Sequence, residues 1–337
     1  MRDGESLSPP PLALSLSLPF RIPHSAFPLA RAMNVCLGLK IDVCTYEGLR
    51  VGVPSLLRLL DRHAVRASFF VALGPDTSGR AIFHAFRPGF LAKMRRTSAI
   101  RVYGWRTILS GTLLPSRHAG HRLTPILRNV IASGHELAIH GYDHRRWQDH
   151  LHRMDGQAVR EEMGRAVALY REVAGRAPQG FGAPGWQATA ASLRALDEAG
   201  FAYASDTRGL SPFFPRVDGQ TLQTLQLPTT FPTLDEALGL DALEGEGFVA
   251  QVRQGLRPDA WNVLTIHAEM EGVAFQSVAD RLLSMLRADG VVCLPLEVVA
   301  ERVRTEGQER IPVVEVIPRP IRGRAGTVAM PAGFEVP

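Results

Sequence analysis

Along this chain, short unbroken apolar runs alternate with stretches whose apolar residues recur at helical spacing. Residues 35–43 are the first such run, bounded by turn residues, and read as a buried strand. Residues 52–63 follow with Val53, Leu56, Leu57 and Leu60 at helical spacing, and residues 67–73 read as a second strand. A helix is expected over 125–133, closed by Gly134 as its C-cap, and a third strand over 137–140. Further helices are expected over 157–174, 189–199, 246–256 and 277–288, with strands over 181–185, 201–205, 225–228, 262–267 and 291–294. Continuous apolar strands between helices imply a parallel sheet covered by helices. With so many repeats in one chain, closure into a barrel is expected over an open sheet. In such barrels chemistry gathers at the C-terminal ends of the strands. Asp42, His140, Pro184, Asp206 and His267 all fall at or just past such an end.

Composition narrows the class. The chain has 337 residues, 45% hydrophobic and 21% charged, ordinary proportions for a globular protein. No apolar run reaches the 18 or so residues that a membrane-spanning helix needs. Cys36, Cys44 and Cys293 lack framework spacing, which fits a reducing compartment. Residues 1–32 are Ser/Pro-rich and apolar, but Asp3, Glu5 and the prolines make a poor signal peptide. They are expected to be a disordered extension, with Met33 as the true start. The domain proper is expected over 33–304, and the proline-rich residues 305–337 are expected to be a loose tail.

Charge is unevenly spread. The formal net charge is +5, yet residues 77–135 contain no Asp or Glu and hold ten Lys or Arg. The remainder is therefore net acidic. The stretch reads as a basic helical insertion at about 75–130. Arg87, Lys93, Arg95, Arg96, Arg101 and Arg106 are interleaved with aromatics that include Tyr103 and Trp105. That mixture suits an anionic membrane surface or a lipid phosphate. A plain solvated basic face is the alternative. No nucleic-acid recognition motif accompanies it, so a nucleic-acid partner is not expected.

The chemistry begins at His140-Gly141-Tyr142-Asp143-His144, where two imidazoles four residues apart can face one ion from a helical turn or a tight loop. A capping or core histidine pair is the structural alternative. Asp42 ends an apolar strand, where an unpartnered carboxylate is costly, so it is a base, a ligand or a hydrogen-bonded structural group. His267 ends another and is the candidate acid, although such a histidine is often a satisfied core residue. Amide hydrolysis needs a polarised carbonyl, an activated water and a protonated leaving amine, which a metal, a carboxylate and a histidine supply together.

The segments 38–57, 67–80, 103–112, 135–148, 183–189, 203–209 and 264–272 together resemble the polysaccharide deacetylase, or NodB homology, family across residues 33–302. Within it, the match is to the branch that removes the formyl group from 4-deoxy-4-formamido-L-arabinose carried on undecaprenyl phosphate. That step belongs to lipid A modification with aminoarabinose and to cationic-peptide (polymyxin) resistance. The resemblance implies an α/β fold, a distorted (β/α) barrel. It implies Asp42 as general base, His267 as general acid, and His140 and His144 as ligands of a divalent metal. Substrate contacts are implied for Tyr103, Trp105, Pro184, Trp186, Asp206, Arg208 and Glu269. It also implies a lipid-linked sugar substrate, met from the cytoplasm at the inner face of the bacterial inner membrane.

One position departs from the family. Where a metal-ligating Asp is expected, this chain has Cys44. A Cys/His/His set favours zinc over magnesium, manganese or calcium. Three readings follow: a working zinc variant, a site that holds metal poorly, or a site in which Asp42 becomes a ligand. General polysaccharide or peptidoglycan N-deacetylation, and a non-catalytic binding role, are the competing functions.

Overall fold

The computed structural model describes residues 35–80, 109–238, 240, 244–258, 260–307 and 311–334. The N-terminal extension lies outside the described residues, as do Arg87, Lys93, Arg95, Arg96, Arg101, Tyr103, Trp105 and Arg106.

Strand β1 (Cys36–Val43) is the centre of a parallel sheet and is buried along nearly its whole length. Its one edge pairs with β9 (Asn262–His267) over Leu37–Asp42. The other edge is divided: Cys36–Gly38 pair with β10 (Val292–Leu294), and Lys40–Val43 pair with β2 (Ser68–Val71). The sheet then runs through β3 (Glu136–Ile139), β4 (Gly180–Phe181), β5 (Tyr203–Ala204) and β8 (Leu225–Gln226), every pairing parallel. Beyond β8 the curl approaches closure, because Thr230 N–H donates to Val263 O of β9 at 2.9 Å. The apolar runs predicted a barrel, and the curled parallel sheet observed is the distorted form that the family resemblance implies.

Alternation along β1 separates two environments. Leu37, Leu39, Ile41 and Val43 point outward into the main core. There they meet α1 (Val53–Arg62), α2 (Thr124–Ala132), α4 (Gly156–Ala174) and α8 (Gln276–Ala288). Gly38, Lys40 and Asp42 take the opposite face, toward the barrel interior. The lower interior is apolar. Helix α9 (Leu296–Gly307) inserts Leu296, Val299, Ala300 and Val303 against Phe70, Ala138, Tyr203, Leu225 and Val263. A methyl group on Gly38 would stand 3.3 Å from both Leu296 and Val299. The plug therefore fills the bottom of the barrel and confines polar interior groups to its two rims.

The described residues from 305 onward do not form a loose tail. Strands β11 (Val313–Pro320) and β12 (Thr327–Pro331) pair as an antiparallel hairpin, and β11 runs parallel to β6 (Phe214–Val217), which pairs with β7 (Gln220–Thr221). The physical reason is burial: Val328, Ala329 and Met330 are almost wholly covered. The prolines are compatible with order because proline is accepted at strand starts and edges. The described end of the basic insertion also folds onto the barrel, where Gly120 N–H donates to Leu73 O at 2.8 Å.

Candidate active site

His140 follows β3 directly, and Gly141 then turns the chain at a φ of +76°, a conformation that strongly favours glycine. Asp143 caps α3 (His144–His150) by accepting from the Arg145 and Arg146 N–H groups at 3.1 and 3.0 Å. The two histidines thus sit at a strand end and a helix start, joined by a tight loop rather than a shared helical turn. Their ring centroids are 5.1 Å apart.

Cys44 approaches from the end of β1, with Sγ 3.7 Å from His140 Nε2. One ligand atom from each of Cys44, His140 and His144 lies within 4.8 Å of the others, the only such metal-competent group among the described residues. The donor chemistry fits a metal. His140 Nδ1 is 2.7 Å from Gly182 O, so this nitrogen carries the proton and Nε2 presents its lone pair toward Cys44. Burial pulls the His140 imidazole down to about 4 and His144 well below the usual range, so both are neutral near pH 7. The Cys44 thiol, by contrast, is pushed well up by burial and then by Glu269, Asp42 and Asp235.

Asp42 and His267 are register partners on the adjacent strands β1 and β9. Asp42 Oδ2 lies 3.3 Å from Lys40 Nζ and 4.0 Å from His140 Nε2, while Oδ1 has no hydrogen-bond partner. Burial opposes ionisation of Asp42, but attraction from Lys40, then His140 and His267, outweighs it and lowers the pKa. Asp42 is therefore a carboxylate at neutral pH. Lys40 itself is fully buried, 5.0 Å from the Phe70 ring centroid and 5.3 Å from that of Trp186. Its Nζ also donates to Ser205 O at 3.2 Å. On the far side, His267 Nδ1 faces Asp235 Oδ1 at 3.8 Å, and its ring meets Trp186 edge to face at 6.3 Å. Lys40 and Asp235 are the neighbours that sequence reasoning missed. A lysine inside an otherwise apolar strand, two residues before Asp42, was a usable signal, because a buried ammonium needs a partner. Asp235 carried none.

The expected substrate residues divide. Pro184 and Trp186 lie in the loop that closes over the site, and the Pro184 ring packs beside Gly141. Asp206 does not face open space: Oδ1 accepts from Ala183 N–H at 2.8 Å and Oδ2 from Gln226 Nε2 at 3.1 Å, which pins that loop. Arg208 is also committed, with Nη1 on both Glu236 oxygens at 2.9 and 2.8 Å and Nη2 on Phe231 O at 2.6 Å. Glu269 sits beneath the Cys44 loop. Its Oε1 accepts from Cys44 N–H at 2.9 Å, Thr45 N–H at 2.8 Å and the Thr45 hydroxyl at 2.9 Å. It holds the cysteine in place.

The sequence profile described as polysaccharide deacetylase matches residues 36–204. The chain is 34% identical over 298 residues to a protein of Shewanella sediminis (strain HAW-EB3) named "Probable 4-deoxy-4-formamido-L-arabinose-phosphoundecaprenol deformylase ArnD", covering 88% of this chain and 95% of that one. A protein of the same name from Wigglesworthia glossinidia brevipalpis is 28% identical, over 84% of this chain and 97% of that one. Among solved structures, a polysaccharide deacetylase-class protein from Mycobacterium smegmatis superposes with a TM-score of 0.58 at 21% identity, covering 88% of this chain and 98% of that one. PuuE allantoinase superposes at 0.57 and 17% identity, covering 86% and 95% respectively. Both likenesses are of fold.

Proposed function

This chain belongs to the polysaccharide deacetylase family, and from that footing we propose that it is a metal-dependent amide hydrolase. Its substrate is 4-deoxy-4-formamido-L-arabinose on undecaprenyl phosphate, from which it removes the formyl group during lipid A modification. The observation that carries the reading is one juxtaposition. The Cys44, His140 and His144 donors converge within 4.8 Å, next to an ionised Asp42 with an unpartnered oxygen and across from His267.

Cys44, His140 and His144 would hold the metal, and their softness would favour zinc. When bound, that ion would supply polarisation of the formyl carbonyl. Asp42 takes a proton from the attacking water as its oxygen bonds to the formyl carbon. Lys40 keeps Asp42 ionised beforehand. His267 gives a proton to the sugar nitrogen as the C–N bond breaks, releasing formate and the free amine. Asp235 and Trp186 hold the His267 ring from two sides. Glu269 fixes the Cys44 loop. The raised Cys44 thiol supports a second reading, in which the metal is held weakly and turnover is low.

The basic insertion docks the enzyme on the anionic cytoplasmic leaflet of the inner membrane, where it meets its lipid-linked substrate. Its ten Lys/Arg without an acid over 77–135 support this. No helix among the described residues is long and apolar enough to cross a membrane. Each basic residue at such a surface contributes about 1 kcal/mol. Binding to anionic liposomes that weakens in high salt is expected; indifference to them at low salt would remove the docking. For the reaction, purified enzyme supplied with zinc is assayed on formamido- and acetamido-arabinose lipids. Formate release from the first and little acetate from the second is expected. Turnover of acetamido-glycans alone would replace this function with N-deacetylation.

A further inference from the structure

The hairpin of β11 and β12 carries its tip to the rim of the active site. Gly323 there has a φ of +83°, and a Cβ on it would stand 2.3 Å from the Glu236 carbonyl oxygen, so the tip lies directly against the short helix Leu234–Ala237. Trp186, Val328 and Met330 are buried together, with Ile321 and Phe334 packed on them. Gln187 Nε2 donates to Thr327 O at 2.6 Å, and Arg208 N–H donates to Ala329 O at 2.9 Å. The hairpin is thus bound to the same loop that carries Pro184 and Trp186, and to Arg208.

This docking delivers Arg324. Its guanidinium carbon lies 4.8 Å from the Trp186 ring centroid. Nη2 is 3.1 Å from where a Cβ on Gly185 would be. Arg324 therefore lies between the Pro184–Trp186 loop and Glu236. Arg208 offers the contrast. It also stacks on Trp186, at 5.0 Å, but three short hydrogen bonds already occupy both of its terminal nitrogens, and it is 9% exposed. Arg324 makes one long side-chain bond, Nη1 to Glu236 Oε1 at 3.3 Å, and is 11% exposed. A guanidinium presents five N–H donors in a planar fork matched to phosphate oxygens. Among the described residues, Arg324 is a cation at this rim whose terminal nitrogens make a single long bond, whereas the donor that Arg208 leaves unpartnered is its buried Nε. Arg324 also lies 120 residues beyond the matched deacetylase segment (324 − 204), in a part of the chain that the family profile does not cover.

We propose that Arg324 binds the phosphate attached to the sugar, so that the C-terminal hairpin selects a sugar phosphate over a neutral glycan. The inference rests on the proposed formamido-sugar reading for its substrate, but not for its anion chemistry. It makes Arg324 a specificity residue, acting on the preference between substrates rather than on the hydrolysis.

The experiment compares zinc-loaded wild type, Arg324→Gln and Arg324→Lys on three forms of the formamido sugar: a prenyl phosphodiester, a lipid-free 1-phosphate and a methyl glycoside. The preference, read as the ratio of kcat/KM for phosphate-bearing over glycoside forms, should fall roughly 10- to 100-fold in Arg324→Gln, mainly through KM. Arg324→Lys should restore part of it. A fall with the phosphodiester alone would assign Arg324 to the lipid and overturn the phosphate contact. An unchanged ratio would overturn the proposal outright, as would equal losses on all three forms. Calorimetric titration with inorganic phosphate separates this inference from the function reading. Binding weakened at least tenfold in Arg324→Gln is expected whatever reaction the enzyme catalyses, and equal affinity would contradict it. A wild type without deformylase activity but with Arg324-dependent phosphate binding would remove the function reading and leave this one standing.

Discussion

At the N-terminal rim of the barrel interior, Glu136 is buried at the start of β3 and every neighbour answers it. Its Oε1 accepts from the Tyr203 hydroxyl at 2.6 Å, and Oε2 from the Ser68 hydroxyl and from Glu297 N–H at 3.0 Å. Ser68 in turn accepts from Leu296 N–H at 2.6 Å. Four residues further on, just past the end of the same strand, His140 stands at the C-terminal rim, where the pattern reverses. Asp42 Oδ1, His267 Nδ1 and Glu271 Oε1 are all buried there without a hydrogen-bond partner. Buried polar atoms are nearly always partnered, and exceptions need a reason. The lower rim is closed on itself and contributes stability. The upper rim leaves polar groups unanswered by the protein, which fits the proposed roles of a metal, a water and an amide there. The plug of α9 keeps the two apart.

Substitutions at the two rims should therefore fail in different ways. At the upper rim, Asp42→Asn and His267→Ala should each lower kcat by roughly 10²-fold or more, with melting temperature and metal content near wild type. Near-normal turnover in either variant removes that residue from the chemistry. At the lower rim, Glu136→Ala strands three donors, each costing about 1–3 kcal/mol when buried without a partner. A loss of roughly 3 kcal/mol or more in urea unfolding is expected, with kcat per folded molecule unchanged. If kcat falls with stability intact, the separation of the rims is wrong.

Acidity sharpens the contrast. Burial first, then repulsion from Glu297, pushes the Glu136 carboxyl up to about 7 from 4.5. The folded protein therefore holds a proton between those values that the unfolded chain releases. This contribution to stability is complete below about pH 4.5 and is lost as pH rises through about 7, by at most about 3 kcal/mol. Unfolding free energies measured from pH 4.5 to 8 should show that decline in wild type and a flatter profile in Glu136→Gln. Parallel profiles would contradict the assignment. The smallest effect belongs to Glu269, which grips the Cys44 loop from below. Glu269→Gln should weaken zinc affinity by about 10- to 100-fold, as loss of a ligand-orienting partner does. Competition with a chromophoric chelator reads this directly, and an unchanged affinity would make Glu269 a residue of the substrate pocket instead.

Much of this arrangement was legible in the chain. Strand β9 runs over the predicted 262–267, where four apolar or β-forming residues, Val263 to Ile266, end at a histidine. Cys44, His140 and His144 converge because two strand ends and one helix start meet at the rim; the histidine pair was legible from its spacing, and Cys44 only through the family resemblance. What escaped was long-range. Phe214–Val217 contains Pro215, so it did not read as a strand, and its partner β11 was discounted for its own prolines. Each is ordered by pairing with the other, about a hundred residues away in sequence, and local composition carries no sign of that. Arg324 was hidden for the same reason. Asp206, Arg208 and Glu269 were found as residues, but their partners, and so their structural anchoring, became apparent only with the fold in place.

The central claim, that the upper rim is a metal site made by Cys44 with the two histidines, is tested most directly by elemental analysis. Wild type, Cys44→Ser and His140→Ala are purified in parallel with zinc supplied. About one zinc per chain is expected in wild type, with little in either variant, and Cys44→Asp should move retention toward manganese or magnesium. Full zinc occupancy in Cys44→Ser, or none in wild type, would contradict the account.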